Sequence, residues 1–225
     1  MMLENISCIR CVDGIGKMVK NGFSAGGKQR YKCRICGITR LMDYSYSAYS
    51  FGINRKIIQL TKEGMGIRGT ARFLNISTTT LLRRLLHIAS SLKAPAIAKA
   101  KVYEVDELRT FIKRKDKLIW VVCAYERESR RIVCFATGRR TNKTLEVVLK
   151  SLRLAKASRI CTDRLKNYGY LIKDTLHDTS RFATNHLERM HLNLRTHLKR
   201  LARRSICYSR SLALLNAVLK IYLWG

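Results

Sequence analysis

Three acidic residues occupy positions that suit them to binding a divalent metal ion. Asp106 lies inside the apolar stretch VYEVDEL, Asp163 ends the apolar run RICTD, and Glu188 opens a basic helical segment. Mg²⁺ and Mn²⁺ are hard ions that take carboxylate oxygens as ligands, and such ions promote phosphodiester cleavage. The three residues therefore predict a metal-dependent reaction on a phosphodiester.

Two further glutamates flank the first of these residues. Strand alternation puts Glu104 on the same face as Asp106, where it is a candidate additional ligand, and directs Glu107 to the opposite face. The plainer interpretation of Asp106, Asp163 and Glu188 is that they are three surface acids that neutralise nearby arginines. Glu188 and His191 also form an E-x-x-H pair, which is typical of di-iron helix bundles, but the neighbouring strands and the basic charge disfavour a bundle.

The elements that must position these acids form a long mixed segment, residues 102–225. Strand patterns cover 102–112, 118–125 and 131–137; they are followed by the helix TLEVVLKSLRLA, the strand RICTD, the helix KNYGYLIKDTLH, a strand near RFAT and the basic helix HLERMHLNLRTHLKRLARR. This β-β-β-α-β-α-β-α order is typical of a ribonuclease-H-like domain with a mixed sheet. Its first and fourth strands are neighbours, so Asp106 and Asp163 are expected to meet, with Glu188 approaching from the basic helix.

Four cysteines near the start of the chain predict a second metal site. Cys8-x2-Cys11 and Cys33-x2-Cys36 are separated by 21 residues, a spacing that matches four-thiolate coordination of Zn²⁺. Four thiolates leave no open coordination position, so the zinc would be structural. The segments KMVKN and QRYKC are expected to be strands of a zinc ribbon. The alternatives are disulfides or thiols that bind no metal.

The overall charge indicates a polyanionic partner. Forty-five lysines and arginines face fifteen acidic residues, giving a net charge of +30, so nucleic acid is the expected partner. An anionic membrane surface is the competitor. The start MMLENISCIRC has no apolar signal region, and the longest apolar stretch, LALLNAVLKIYLW, is too short to span a bilayer and contains Lys220. We therefore expect a cytoplasmic protein without a membrane partner.

Residues 51–93 have the pattern of a helix-turn-helix DNA-binding domain. Three amphipathic segments are separated by a glycine-rich break and an Asn75-Ile76 turn, and Ser77 is placed to cap the third helix. The alternative is an ordinary three-helix packing module with a solvated basic face. The third helix is expected to present these side chains to a major groove: Thr78, Thr79, Thr80, Arg83 and Arg84.

The whole chain is thus predicted to be a multidomain α+β protein. A zinc ribbon spans 1–50, the helix-turn-helix domain spans 51–93, a linker with the single proline, Pro95, spans 94–101, and the ribonuclease-H-like α/β domain spans 102–225. The chain after Glu188 contains no acidic residue, and seven of its basic residues are candidate DNA contacts. They are Arg189, Arg195, Lys199, Arg200, Arg203, Arg204 and Arg210.

Several long motifs resemble one known family. GIRGTARFLNIS, EVDELRTFI, GRRT-x2-TLE, TD-x4-Y, TNHLERMHLNLR and RRSICYSRS are similar to segments of the transposases of the IS-one family of bacterial insertion sequences. The resemblance covers nearly the whole chain. It implies that Asp106, Asp163 and Glu188 are the triad of a DDE transposase, with 24 residues between the last two.

The resemblance also implies a mechanism, partners and a location. Two Mg²⁺ (or Mn²⁺) ions would act on the transposon ends, free their 3′ hydroxyls and promote attack on target DNA. Synapsis of two ends implies a homodimer or a higher multimer on DNA, and the bacterial source implies association with the nucleoid.

Two other functions compete with this interpretation. In the first, the ribbon and helix-turn-helix bind element ends and the α/β domain only dimerises, so the protein is a non-catalytic regulator. In the second, His197, Arg200 and Tyr208 act as in a tyrosine recombinase. The tyrosine lies too close in sequence to the His-Arg pair for that pattern.

Overall fold

The computed structural model describes residues 7–11, 15–41, 47–202 and 205–225. The chain forms two compact units, 1–49 and 50–225. The strands are β1 (Met18–Phe23), β2 (Gln29–Cys33), β3 (Thr39–Leu41), β4 (Val102–Phe111), β5 (Leu118–Glu126), β6 (Arg131–Gly138), β7 (Arg159–Thr162) and β8 (His177–Asp178). The helices are α1 (Ile53–Lys62), α2 (Ile67–Phe73), α3 (Thr78–Ser91), α4 (Asn142–Leu154), α5 (Lys166–Leu171), α6 (Asn185–His197) and α7 (Leu212–Trp224).

The first unit is a small antiparallel sheet of β1, β2 and β3 in that order. Its core is made largely of sulfur: Cys8, Met18 and Cys33 are buried together. A three-stranded sheet this small buries little apolar surface, so its stability has to come partly from another source.

The three helices expected in residues 51–93 are present as α1, α2 and α3. Ile53 and Ile57 of α1 and Leu81 and Leu85 of α3 are buried, as the helical spacing of apolar residues predicts. The predicted cap is confirmed, because the Ser77 side chain accepts a hydrogen bond from the backbone amide of Thr80.

Helix α7 belongs to the interior of the second unit. It packs against α1 and α3 on one side and against β6 on the other. Trp224 donates its indole N–H to the carbonyl of Ile132, and the Lys220 ammonium lies 3.5 Å from the carbonyl of Ala89. The apolar sequence of this helix is thus explained by packing within the chain. The helix-turn-helix and the α/β part form one unit here, and the linker at 94–101 stays a prediction.

The larger sheet has the strand order β6-β5-β4-β7-β8. β4, β5 and β6 form an antiparallel meander, and β7 pairs in parallel with β4, so the predicted adjacency of the first and fourth strands is confirmed. One core lies between the sheet and the helices α4 and α5, and a second core contains residues of α6 and α7.

Three expected boundaries were wrong. The basic helix ends at His197, because Leu198 leaves helical geometry and both Leu198 and Leu201 turn into the core. The last strand is the two-residue β8, and residues 181–184 form turns. Helix α5 stops at Leu171, well before the end of the predicted helix. Among the described residues, no helix is long and apolar enough to cross a membrane.

Candidate active site

The end of β7 brings two of the expected acids together. β4 and β7 run in parallel with Val105 opposite Thr162, so Asp106 is the next residue on β4 and Asp163 follows directly after the end of β7. Ligand-capable oxygens of Asp106, Glu107 and Asp163 all lie within 4.8 Å of one another. Because β7 ends at Thr162, β4 is no longer paired with β7 from Asp106 onward. Side chains from either face of β4 can therefore reach the same space.

Glu107 was not expected in this group, since alternation directs it to the face opposite Asp106. It does lie on that face, where the hydroxyl of Tyr168 donates to Oε1 at 2.6 Å and Arg140 donates to Oε2 at 2.9 Å. Burial raises the pKa of the Glu107 carboxyl, while Tyr168 and Arg140 act in the opposite direction. The guanidinium of Arg140 also lies 4.6 Å from the ring centroid of Trp120.

Both partners of Glu107 lie in motifs that the sequence displays. Arg140 belongs to GRRT and Tyr168 to TD-x4-Y, so the motifs marked these residues without indicating their roles. A tyrosine five positions after an acid carries no recognisable chemical signal by itself. Only the fold shows that Tyr168 reaches back to β4.

A hydrogen bond orients Asp163, and a close contact with a histidine orients Asp106. The backbone amide of Leu165 donates to Asp163 Oδ1 at 3.1 Å, a short turn that holds the carboxylate at the end of β7. His191 Nδ1 lies 3.3 Å from Asp106 Oδ2. His191 is buried, which places α6 directly against the β4 acid.

Glu188 lies in the first turn of α6 and is exposed. Its Oε1 accepts a hydrogen bond from the Thr184 hydroxyl at 3.1 Å. It is not in the group of described acids whose oxygens lie within 4.8 Å. The structure thus brings Asp106 and Asp163 together and leaves Glu188 on the adjoining helix, one turn before His191.

Glu104, the candidate additional ligand, is fully buried and engaged elsewhere. Oε1 lies 2.7 Å from both Arg127 Nε and His186 Nδ1, and Oε2 accepts from the backbone amide of Leu187 at 2.9 Å. Glu104 therefore has protein partners and is not in the group of described acids that contains Asp106 and Asp163. Its face of β4 is covered by α6, so both of its oxygens have protein partners.

The four cysteines of the first unit form the other candidate metal centre. Sγ atoms of Cys8 and Cys36 are 3.6 Å apart, and those of Cys11 and Cys33 are 3.7 Å apart. A tetrahedral site with Zn–S bonds of about 2.3 Å has an S···S edge of about 3.8 Å, so the sulfur spacing fits zinc. Hydrogen bonds from backbone amides, with that of Cys36 the strongest, lower the pKa of Cys33 to about 6, which favours the thiolate.

A glycine completes this centre. A Cβ atom on Gly16 would lie 2.8 Å from the sulfurs of Cys11 and Cys33 and from Cβ of Cys8. The backbone at Gly16 also accepts a hydrogen bond from the amide of Cys8 at 2.7 Å. The absence of a side chain therefore lets this segment pass close to the sulfurs.

The expected groove-facing residues of α3 divide into two kinds. Thr78, Thr79 and Arg83 are exposed. Thr80 contacts the Ser77 hydroxyl, and Arg84 donates to the Asn54 side chain of α1 at 3.0 Å. The first kind is available to a ligand, whereas the second also stabilises the helix start and the helix pair.

The basic residues after Glu188 also divide into exposed side chains and side chains engaged within the chain. Arg189, Lys199 and Arg210 are exposed, and Arg195 is partly buried. Arg200 points inward and donates to the Ser209 hydroxyl at 3.0 Å, and burial lowers the pKa of its guanidinium. Lys199 no longer shares a helix with Glu188, because α6 ends at His197. The remaining two, Arg203 and Arg204, lie outside the described residues.

The residues of the recombinase-like alternative have separate partners. His197 Nδ1 lies 2.6 Å from the Tyr222 hydroxyl, and Arg200 binds Ser209. The ring of Tyr208 packs against Phe111. No hydrogen bond among the described residues joins these three side chains.

Family models match most of the second unit. The model described as IS1 transposase matches residues 100–224, and the model described as InsA C-terminal domain matches residues 44–88. The chain is 31% identical over 124 residues to the insertion element iso-IS1n protein InsB of Shigella dysenteriae, covering 55% of this chain and 95% of that protein. It is 37% identical over 120 residues to the IS1 protein InsB of Shigella flexneri, covering 53% and 92%.

Similar solved structures are more distant. A simian T-cell lymphotropic virus intasome in complex with the PP2A regulatory subunit B56 gamma has a TM-score of 0.38 at 16% identity, covering 72% of this chain and 66% of that chain. The HTLV-2 integrase catalytic core domain in complex with magnesium has a TM-score of 0.36 at 18% identity, covering 57% and 86%. Scores this low carry no conclusion about this chain.

The first family model covers more than half of the chain. Its matched region contains the strands that bear Asp106 and Asp163 and the helix that bears Glu188. On this match, the chain belongs to the IS1 transposase family.

Proposed function

We propose that this chain is a DNA transposase that binds the terminal inverted repeats of an insertion sequence, cleaves the 3′ ends and joins them to target DNA. The observation that carries the proposal is the convergence of Asp106 and Asp163 oxygens within 4.8 Å at the point where the pairing of β4 with β7 ends. These residues lie more than fifty positions apart in sequence, within a chain of this family. The β6-β5-β4-β7-β8 order supports a ribonuclease-H-like catalytic domain.

The donor set fits Mg²⁺ or Mn²⁺. Asp106, Asp163 and Glu107 offer only oxygen ligands, which hard divalent cations prefer, and Glu188 would complete the set from α6. When bound, such ions activate an attacking water or hydroxyl and stabilise the leaving 3′ oxygen. Glu107 would add negative charge to the site while Arg140 and Tyr168 hold its carboxylate.

The chain's own residues would then position the DNA. Exposed basic side chains at Arg189, Lys199 and Arg210 would neutralise backbone phosphates near the acids. His191 would keep Asp106 in one orientation, and the Leu165 amide would do the same for Asp163. No activated serine or cysteine is required, because positioning and charge stabilisation account for this type of transfer.

The other parts of the chain would recognise the element ends. Thr78, Thr79 and Arg83 of α3 are exposed for major-groove contact. In the first unit, the sulfur spacing supports structural Zn²⁺ and a zinc ribbon. Two ends must be brought together for joining, so we propose a homodimer or higher multimer on DNA.

The test is strand cleavage and joining on terminal-repeat DNA with Mg²⁺. Asp163→Asn keeps the shape of the side chain and removes the charge, so cleavage should fall by a factor of about 10³ or more while DNA binding stays within about twofold. Asp174→Asn, at an exposed acid on the loop after α5, is the control and should cut like the wild type. Equal activity of Asp163→Asn and wild type would refute the catalytic assignment. If every variant, including the wild type, binds the DNA without cutting it, the non-catalytic regulator replaces the transposase.

A further inference from the structure

Glu104 is the most completely buried acid close to the proposed catalytic residues, with 0% exposure. Burying a carboxylate is costly unless its oxygens receive hydrogen bonds. Glu104 receives three, from Arg127, His186 and the amide of Leu187. A site built this fully around one carboxylate indicates a defined role. That role is not metal binding with Asp106 and Asp163, because Glu104 is not among the described acids whose oxygens converge there.

The partners of Glu104 all tie it to the start of α6. The Leu187 amide is among the first amides of that helix, which have no acceptor within the helix itself. Arg127 donates through Nε to Glu104. Its Nη2 donates, at 2.8 Å, to the carbonyl of Ala183 just before the helix. A carboxylate from β4 therefore caps α6 in place of a local residue, since the Thr184 side chain makes no cap hydrogen bond.

This cap lies between two members of the proposed triad, Asp106 on β4 and Glu188 on α6. Glu104 lies two residues before Asp106 on the same face of β4, and Leu187 immediately precedes Glu188. Further along α6, His191 contacts Asp106. The helix is thus attached to β4 at two points, and Glu188 lies between them.

We propose that Glu104 is a positioning residue that fixes the distance between Glu188 and Asp106 by anchoring the first turn of α6 to β4. The proposal rests on the proposed function for the roles of Asp106 and Glu188. It assigns Glu104 no contact with DNA or metal. Its effect on the reaction is transmitted through the Leu187 amide.

The first measurement is hydrogen exchange of the metal-free full-length chain. Glu104→Gln keeps the size of the side chain but presents an N–H to a site built from donors. We expect exchange of the Leu187 amide to rise at least about tenfold, with Leu194 in the same helix and Val122 in β5 unchanged. Glu128→Gln is the matched control, because Glu128 is exposed and pairs with Lys101, away from α6. Unchanged exchange at Leu187 would overturn the anchoring.

The second measurement is binding of Mn²⁺ to the protein–DNA complex, followed by electron paramagnetic resonance. Residues that orient metal ligands typically change metal affinity by about 10–100-fold, and we expect a loss in this range for Glu104→Gln and none for Glu128→Gln. Faster exchange at Leu187 with wild-type Mn²⁺ affinity would show that Glu104 only stabilises the fold, and would overturn the proposal. An Asp163→Asn variant that binds Mn²⁺ as well as wild type would instead count against the proposed function.

A milder variant keeps the test valid should Glu104→Gln fail to fold. His186 is 58% exposed in its side chain, so His186→Ala removes one donor and leaves the Arg127 and Leu187 bonds. We expect smaller changes in the same direction in both exchange and Mn²⁺ affinity. If His186→Ala leaves both at wild-type values, the anchoring does not control the metal site.

Discussion

The two candidate metal centres of this chain are built in opposite ways. The cysteine centre draws its four ligands from two short turns, and backbone amides of Arg10 and Ile35 donate to sulfurs of Cys8 and Cys33. The carboxylate centre draws its ligands from strands that meet only in the folded sheet. The cysteine centre includes two buried sulfur residues, whereas the Asp106 side chain remains 19% exposed at a strand edge.

This difference separates a structural role from a chemical one. Four thiolates saturate a tetrahedral ion, so nothing else could bind, and on the proposed zinc assignment the energy of binding would stabilise a unit that has little apolar core. Oxygen ligands that stay partly exposed, as Asp106 does, leave space for a phosphate to approach. Local sequence spacing is sufficient to build the first kind of site. The second kind needs the whole sheet.

The largest expected effect is on the cysteine centre. Cys33→Ser removes a buried ligand, and zinc binding contributes up to about 10–16 kcal/mol to the folding of small zinc domains, so residues 7–41 should lose their fold. Metal analysis should fall from one zinc per chain to none, and limited proteolysis should cut this unit first. Cys207→Ser, at an exposed cysteine of the second unit, should retain zinc and resist cleavage. If metal analysis finds no zinc in the purified wild-type protein, the assignment of the four cysteines to a zinc site is contradicted.

A smaller effect is expected from Gly16→Ala. The added Cβ would lie 2.8 Å from two sulfurs, so the ligands must move apart to accommodate it. We expect zinc affinity to fall by about tenfold to a hundredfold, measured by competition with a chelator. In Gly26→Ala the nearest atom to the new Cβ is the Ser24 hydroxyl at 3.9 Å, so affinity should match wild type. Equal affinities for the two variants would show that the close approach at Gly16 is not required.

The same contrast explains what could be predicted from the sequence. The C-x2-C pairs, the Ser77 cap and the order of strands and helices along the chain follow from local spacing and periodicity. The described fold agrees with them. Alternation also placed Glu104 and Glu107 on opposite faces of β4 correctly. It could not show that Glu107 joins Asp106 and Asp163, because that depends on where β7 ends and on how Tyr168 and Arg140 hold the Glu107 carboxylate.

Long-range packing likewise determined where the basic helix ends. Residues 198–204 continue a helical pattern of leucines and basic side chains, but burial of Leu198 and Leu201 against the sheet ends α6 at His197. The helix propensity of these residues contributes less free energy than the burial of two leucine side chains, each of which contributes about 1.5–3 kcal/mol. The consequence for function is that Lys199 lies beyond the helix of Glu188.

The smallest expected effect tests the support of the carboxylate centre. Tyr168→Phe removes the hydroxyl that donates to Glu107, and loss of a donor to a buried carboxylate costs about 1–3 kcal/mol in the free energy of unfolding. Tyr170→Phe is the matched control, because Tyr170 is 84% exposed two residues later. Urea unfolding of the metal-free variants measures the difference.

The pH dependence of that difference identifies Glu107 as the partner. The Tyr168 hydroxyl favours the ionised carboxylate and so lowers the pKa of Glu107, which burial has raised. Removing the hydroxyl raises that pKa further, so the stability lost in Tyr168→Phe should be fully present at pH values above the Glu107 pKa. This loss of stability should shrink as the pH falls through the Glu107 pKa, because the protonated carboxyl depends less on the donor. A cost that is equal at pH 8 and pH 5 would show that Tyr168 stabilises the core by packing alone, and that the carboxylate centre does not depend on it.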